Sequence, residues 1–211
     1  MNIIMAVKSE FWDKRYSVSE YVYGEHPNSY LKEQLQALPV GSILLAGEGE
    51  GRNGVYAAKL GWKVSAYDLS VEGKMKAERL ARKHNVEIDY HVGELHELDY
   101  TTEQFDVIAL IFTHFPSKSR EAIHKELAHH LRPGGTIIME VFSKKQLAYQ
   151  VKGDSGGGPK SIDMLYSIED IRSDFENFDV IELQETEKHL NEGHHHNGLS
   201  AVIRFVGKKP Q

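Results

Sequence analysis

The sequence predicts an α/β fold: a doubly wound, mostly parallel sheet of seven strands with helices on both faces, its last strand antiparallel. Two observations support this fold class. From residue 42 onward, apolar runs of strand length alternate with helical patterns, as in parallel sheets. Residues 105–112 are apolar at almost every position, which is typical of a central strand covered on both faces.

The same patterns place each element along the chain. The predicted strands cover residues 43–46, 63–67, 86–92, 105–112, 136–141, 180–183 and 201–206. The predicted helices cover residues 29–37, 53–60, 71–83 with Ser70 as N-cap, 119–131, and a last helix that opens at Ser167 in capping-box style. An Arg-Pro-Gly-Gly turn at 132–135 stops the fourth of these helices, and the glycine-rich stretch 143–164 is an excursion after the fifth strand.

Length and composition limit the function classes. A chain of 211 residues, 40% hydrophobic and 27% charged, is expected to form a single domain over 1–211, with residues 1–40 as an aromatic N-terminal lid. A net charge of −6 with scattered Lys and Arg argues against a nucleic-acid partner. The absence of cysteine excludes disulfides and a cysteine nucleophile.

No apolar run reaches the length of a membrane span, and the first eight residues are too short for a signal peptide's apolar region. We therefore expect no membrane partner, a cytoplasmic protein, and a monomer or weak homodimer.

The most informative segment is Gly-Glu-Gly-Glu-Gly-Arg-Asn at residues 47–53, between a predicted strand and a predicted helix. Such a strand, glycine turn and helix start form the first unit of nucleotide-cofactor folds. Gly49, Gly51 and Gly54 also fit the dinucleotide fingerprint, with Asp68 at about the expected distance. NAD(P) is thus one possible cofactor.

The charges of this turn favour a different cofactor. Glu48 and Glu50 lie where a dinucleotide would place its pyrophosphate, and each close like-charge pair costs roughly 1 kcal/mol or more. S-adenosylmethionine (SAM) has no phosphate and carries a sulfonium and an ammonium, which carboxylates attract. The turn therefore favours SAM over NAD(P).

Ligands of doubly wound sheets bind beyond the carboxyl ends of the strands. The Asp68 carboxylate is positioned to accept the ribose hydroxyls, and the turn at 93–95 to meet the adenine amino group. The candidate cofactor-binding residues at these strand ends are Gly47, Glu48, Gly49, Gly51, Arg52, Asn53, Asp68, Leu69, Gly93, Glu94, Leu95, Phe112 and Thr113.

Histidines supply the candidate catalytic groups. His114 ends the predicted central strand beside the crevice and is the first candidate for a base. Three more follow in a row at 194–196, but neighbours on an extended chain point to opposite faces, so no metal site is predicted. Instead His195 or His196 is expected to face the acceptor pocket, where this loop would meet the loop at 153–159; a solvated polar loop is the alternative.

Several segments together resemble the class I SAM-dependent methyltransferases, which have a Rossmann-like fold, over nearly the whole chain. The likeness is strongest to the tellurite-resistance and thiopurine-type group. It is carried by residues 11–16 (FWDKRY), 21–24 (YVYG), 47–53, Asp68 and 131–136 (LRPGGT).

The resemblance implies a lid with Trp12, Tyr16 and Tyr23 near the methionine part of the cofactor; packing of these rings onto the sheet is the alternative. One position departs from the family. The acidic residue usual two positions before the first glycine is Leu45 here, so Glu48 is expected to contact the methionine ammonium.

The predicted function is in-line methyl transfer from SAM to a small-molecule acceptor through sulfur, selenium, tellurium, nitrogen or oxygen. Two alternatives remain open at this point: an NAD(P)-dependent oxidoreductase, and a SAM-binding module without turnover.

Overall fold

The computed structural model describes residues 3–153 and 156–211. One seven-stranded sheet has the order β3-β2-β1-β4-β5-β7-β6, parallel except for β7, which runs antiparallel to both of its neighbours. The predicted fold class is confirmed. The strands are β1 (Ser42–Ala46), β2 (Lys63–Asp68), β3 (Asp89–Val92), β4 (Phe105–Ile111), β5 (Leu131–Phe142), β6 (Asp179–Glu192) and β7 (His196–Lys208).

Helices connect these strands and precede them. They are α1 (Ile3–Tyr16), α2 (Ser29–Ala37), α3 (Arg52–Lys59), α4 (Val71–Lys83), α5 (Ser117–His130), α6 (Gln146–Lys152) and α7 (Ile168–Asp174), with short 3-10 helices at Leu95–Glu97 and Ile162–Met164. Within the described residues, no helix combines the length and hydropathy needed to cross a bilayer.

Alternation along the central strands divides the core into two layers. In β1, Leu44 packs into one apolar cluster and Ile43 into the other, because successive side chains point to opposite faces of the sheet. Helices α2, α3 and α4 cover the second cluster, and α5 and α7 cover the first. Helices therefore lie on both faces, as predicted.

Side-chain caps fix where several helices begin. The Ser70 hydroxyl accepts a hydrogen bond from Gly73 N (3.0 Å), and Ser167 forms a reciprocal capping box with Asp170, both as predicted. Asn28 caps α2 by accepting from Leu31 N (2.9 Å). These caps satisfy backbone groups that each helix start would otherwise leave unpaired.

The closing hairpin is much longer than predicted. Strands β6 and β7 pair from Asp179↔Lys208 to Glu192↔His196, whereas the sequence predicted only 180–183 and 201–206. Residues 184–192 are mostly polar because β6 is the edge strand and much of it is exposed. An edge strand does not need a regular alternation of apolar residues, so the sequence pattern does not reveal the full length of β6.

The predicted boundaries of two other strands are also wrong. β5 begins at Leu131, and the register jumps from Phe105↔Leu131 to Val107↔Thr136, so the predicted turn at 132–135 is a bulge within the strand. β3 begins at Asp89 instead of residue 86. The excursion at 143–164 contains α6 and a 3-10 helix; Asp154 and Ser155 within it lie outside the described residues.

The topology determines where a ligand binds. Strands β1 and β4 are neighbours, and the chain winds outward from them in opposite directions through β2 and β5. A crevice opens at such a switch point, beyond the carboxyl ends of the strands. The predicted site residues follow β1, β2, β3 and β4 and so gather along this edge.

Candidate cofactor and acceptor site

The turn after β1 has a backbone that requires glycine. Gly47, Gly49 and Gly51 have φ values of +64°, +62° and +89°. A Cβ on Gly51 would lie 2.5 Å from the Ala77 Cβ of α4 and would clash. Thr113 fixes the other side, since its hydroxyl donates to Ala46 O at 2.6 Å. The turn is therefore held tightly between α4 and the end of β4.

Glu48 turns back onto the start of α3. Its Oε1 accepts hydrogen bonds from Asn53 N (2.9 Å) and Gly54 N (2.7 Å). Burial raises the pKa of this carboxyl to about 7, against the opposing effect of the two N–H groups. A helix start is where a dinucleotide fold binds pyrophosphate, and here the chain's own carboxylate already fills that position.

Asp68 ends β2 with its carboxylate in the crevice. Oδ2 accepts from Gly49 N (3.0 Å) and Oδ1 from Ser70 N (3.0 Å), so Asp68 joins the glycine turn to the start of α4. Burial raises the pKa of this carboxyl to about 6. Two buried carboxyl groups whose ionisation is costly make the crevice suited to a cation.

Glu50 does not act as predicted. Its Oε1 pairs with Lys76 Nζ at 2.7 Å, and its two oxygens accept from Val22 N (3.1 Å) and Tyr23 N (3.2 Å). The Lys76 ammonium neutralises this charge, and the carboxylate anchors the N-terminal segment instead. The expectation that both glutamates repel a diphosphate is therefore wrong for Glu50. Repulsion of a diphosphate by this turn then depends on Glu48.

The three lid aromatics lie together over the glycine turn. Trp12 stacks on Tyr16 with ring centroids 5.5 Å apart, and Tyr16 meets Tyr23 edge-on at 6.4 Å. A Cβ on Gly49 would lie 2.7 Å from the Tyr16 hydroxyl, which shows how closely this ring covers the turn. Asp13 ties the lid down by accepting from the Ser70 hydroxyl at 2.6 Å.

The turn after β3 lies beside Asp68. Gly93 N donates to Asp68 O at 3.0 Å, and Leu69 is half-buried next to it. The Glu94 side chain caps the 3-10 turn in a capping box with Glu97, and Leu95 packs into the core. Contact of this turn with adenine stays a prediction.

Phe112 has a strained backbone at the end of β4. Its φ is +54°, which is costly for an aromatic residue and is maintained by a hydrogen bond from its N to Glu140 O at 2.8 Å. The ring packs against Phe142 (4.7 Å) and His196 (4.4 Å). Strain of this kind concentrates at functional sites, and here it turns Phe112 toward the β6–β7 hairpin.

His114 is not placed as a base. Nδ1 is 2.7 Å from Met164 O, and Nε2 accepts from Phe142 N at 3.4 Å, so both ring nitrogens are directed at backbone groups. Burial lowers the pKa of this imidazole to about 4. A neutral ring with both nitrogens occupied has no lone pair for a substrate, so the prediction that His114 is the base is wrong.

The tip of the β6–β7 hairpin closes the site from the other side. His194 N donates to Val22 O at 3.0 Å, and Gly156 N donates to Leu199 O at 3.2 Å. The hairpin therefore contacts both the lid segment and the loop at 153–159, as predicted for that loop. His195 is exposed, with its ring 6.2 Å from that of Tyr23, whereas His196 is 6% exposed. Only His196 points inward, so the prediction for His195 is wrong.

A buried polar network behind His196 was not predicted. Arg52 Nη1 pairs with Glu192 Oε2 at 2.8 Å, and Glu192 Oε1 accepts from Asn28 Nδ2 at 3.0 Å. Asn28 N in turn donates to the side-chain oxygen of Asn53 at 2.9 Å. Arg52 therefore pairs with the hairpin directly, and Asn53 is linked to it through Asn28, so both tie the start of α3 to the hairpin. Their contact with a cofactor stays a prediction.

Glu140 is a second buried charge that the sequence analysis missed. It is fully buried in β5 and pairs with Lys188 (3.1 Å) and Arg204 (2.8 Å) on β6 and β7. The detectable signal was a glutamate inside the apolar run TIIMEVF. Glu192 gives no such signal, because it lies in a polar stretch.

Two further features complete the geometry. Among the described residues, no group of three potential ligands is placed to hold a metal ion. A cavity of about 250 Å³ lies between the lid segment at 23–29 and the hairpin at 188–193, and Tyr23 and Glu192 form part of its wall.

Residues 43–135 match the family of methyltransferase domains. The ubiquinone biosynthesis O-methyltransferase of Xanthomonas campestris pv. campestris (strain B100) is 30% identical over 118 residues, covering 54% of this chain and 48% of that protein. The chain thus spans about half the length of that curated relative.

Solved structures share the fold over most of the chain. The magnesium protoporphyrin IX methyltransferase ChlM from Synechocystis PCC 6803, with bound SAH, has a TM-score of 0.71 at 15% identity, covering 97% of this chain and 99% of that one. TehB from Haemophilus influenzae has a TM-score of 0.68 at 15% identity, covering 96% and 67%. At such identities the likeness concerns the fold alone.

The glycine turn and the acidic strand ends therefore lie within the residues, 43–135, that are similar to methyltransferase domains.

Proposed function

We propose that the protein transfers the methyl group of SAM to a small-molecule acceptor. The observation that carries the proposal is Glu48, whose carboxylate fills the helix start that a dinucleotide would need and adds negative charge beside a cationic cofactor. An oxidoreductase function is disfavoured by the same contact. A cytoplasmic address and a relationship to the tellurite-resistance and thiopurine-type group remain part of this proposal.

The residues of the crevice have separable roles. Asp68 would hold the ribose hydroxyls, Glu48 and the glycine turn the amino-acid end, and the turn at 93–95 the adenine. When bound, SAM supplies an electrophilic methyl group on a sulfonium. Trp12, Tyr16 and Tyr23 would place aromatic faces around that cation, an attraction of about 0.5–2 kcal/mol, and would exclude water.

The chain needs no nucleophile of its own for this reaction. Positioning the acceptor in line with the methyl carbon supplies on the order of 7–11 kcal/mol through proximity. The aromatic walls formed by Phe112, Phe142 and Tyr23 suit a small apolar or planar acceptor more than a charged polymer. This composition supports the small-molecule part of the proposal.

The experiment measures S-adenosylhomocysteine (SAH) formed from SAM with a panel of small acceptors: a phenol, a thiol, a tertiary amine and dimethyl selenide. We expect acceptor-dependent SAH formation, with the methylated product identified by mass spectrometry. The control reaction omits the acceptor, and its SAH should stay at the level of a protein-free blank. SAM binding without SAH formation on any acceptor would instead indicate a binding module and contradict the proposal.

A further inference from the structure

His196 is a buried imidazole with an unpaired nitrogen. Its ring lies 4.4 Å from Tyr23 and 4.4 Å from Phe112, and 5.4 Å from Phe142, measured between centroids. Nδ1 is buried and has no hydrogen-bond partner among the described residues. Unpaired buried polar atoms are costly and rare, so this nitrogen calls for a functional explanation.

Glu192 lies behind this ring. Its Oε2 is 4.0 Å from His196 Nδ1 and also pairs with Arg52. A proton on Nδ1 faces this carboxylate, so the favoured neutral tautomer keeps its lone pair on Nε2. Catalytic hydrogen bonds are often long before the substrate is bound, and 4.0 Å is short enough to close by a small ring movement.

We propose that His196 is the proton acceptor of the methyl transfer and that Glu192 positions it, so that the natural acceptor carries a proton on the atom that is methylated. This inference rests on the proposed function and narrows it to hydroxyl, phenol, thiol or N–H acceptors. The acceptor atom forms a bond to the methyl carbon while the bond between that carbon and the SAM sulfur breaks. The electron pair of the broken bond stays on sulfur. The acceptor's proton then passes to Nε2 of His196.

The electrostatic surroundings keep His196 ready to accept a proton. Burial, followed by the Arg52 charge, lowers the pKa of the imidazole well below its ordinary value, so the ring is neutral near pH 7. Glu192 opposes this effect by favouring the imidazolium that forms during transfer. The titratable and charged groups that face the ring from the surrounding elements are Arg15, Tyr23, Arg52, His114, Glu192 and His195.

The test compares His196→Gln with wild type on two acceptors. Phenol has a pKa near 10, like tyrosine, and must lose a proton, whereas dimethyl selenide has none to lose. We expect His196→Gln to lose roughly 100-fold or more on phenol, the usual contribution of a general base, and to stay within about threefold on dimethyl selenide. His194→Gln is the matched control, because that side chain is exposed at the hairpin tip.

Glu192→Gln tests the positioning role. At saturating SAM, which keeps Glu48 and Asp68 ionised, the phenol activity of wild type should fall at low pH as His196 protonates. This limb should move to lower pH in Glu192→Gln, because the charge that favours imidazolium is gone, and vanish in His196→Gln. A readout independent of turnover is the ¹⁵N NMR spectrum of the SAH-bound protein, which should show His196 neutral at pH 7 with the proton on Nδ1.

For His196→Gln, equal losses of activity on both acceptors, or no loss on phenol, would overturn the inference. So would an unshifted low-pH limb in Glu192→Gln, or an NMR spectrum that shows His196 protonated on Nε2. Wild type that methylates dimethyl selenide but no phenol or thiol would also overturn it. If His196→Gln does not fold, the two acceptors are compared with His196→Asn instead, and the position of the low-pH limb in Glu192→Gln tests the inference separately. Failure of wild type on every acceptor would contradict the proposed function itself, so the two failures are distinguishable.

Discussion

Replacing Asp68 with alanine is expected to weaken SAM binding by roughly 100-fold or more. A carboxylate that accepts two ribose hydroxyls contributes about 1.5–3 kcal/mol for each hydrogen bond, and every 1.4 kcal/mol is tenfold in affinity. Asp68 is suited to this role, since it is buried at the end of β2 and each of its carboxylate oxygens, which accepts one backbone hydrogen bond, has a further lone pair for a hydroxyl. Isothermal titration calorimetry with SAM and SAH measures the loss.

The control must separate ribose binding from support of the turn, because Asp68 also accepts from Gly49 N and Ser70 N. Tyr90→Phe removes another support of the turn, the hydrogen bond from its hydroxyl to Gly49 O at 2.6 Å, and should cost about 0.5–1.5 kcal/mol of stability while changing SAM affinity within threefold. Asp68→Ala with wild-type affinity would show that the carboxylate only supports the backbone.

Replacing Gly51 with alanine is expected to destabilise the fold by about 2–5 kcal/mol. Two costs add: the residue has φ +89°, where a side chain costs about 1–2 kcal/mol, and its Cβ would lie 2.6 Å from the Ala77 Cα of α4, an overlap worth roughly 1–3 kcal/mol. For a chain of 211 residues this corresponds to a fall in Tm of about 4–20 °C, measured by thermal unfolding.

Gly61→Ala is the matched comparison for the second cost. Gly61 has nearly the same φ, +91°, but a Cβ there would meet only Val40 Cγ1 at 3.8 Å. Gly61→Ala should therefore lower the free energy of unfolding only by the cost of the left-handed backbone, about 1–2 kcal/mol. Equal losses for the two variants would mean that α4 yields to Gly51→Ala and that the turn is not tightly enclosed.

Patterns set by local chemistry were predictable from the sequence. The central strands are apolar on both faces, so their positions follow from composition, and Ser70 and Ser167 mark helix starts because their hydroxyls cap backbone N–H groups. The glycine turn was equally evident, because its backbone angles exclude most other residues.

What the sequence could not show depends on distant partners. The roles of Glu48 and Glu50 look alike in the sequence, yet one caps α3 and the other pairs with Lys76, 26 residues away. Likewise His195 and His196 are adjacent, and only the hairpin register decides which ring is buried. His114 was predicted to be catalytic because its backbone partner, Met164, lies far along the chain and the sequence does not reveal this contact.

The proposed cofactor requires a crevice whose own carboxylate, Glu48, occupies the start of α3 and which therefore prefers a cation to a diphosphate. Calorimetric titration of the wild-type protein with SAM and with NAD⁺ near pH 6.5, repeated in buffers of different ionisation enthalpy, tests this directly. A bound cation favours ionised Glu48 and Asp68, whose pKa values are raised to about 7 and about 6, so SAM should bind with release of protons. NAD⁺ should not bind measurably. Tight NAD⁺ binding, or SAM binding with proton uptake, would contradict this preference for a cation.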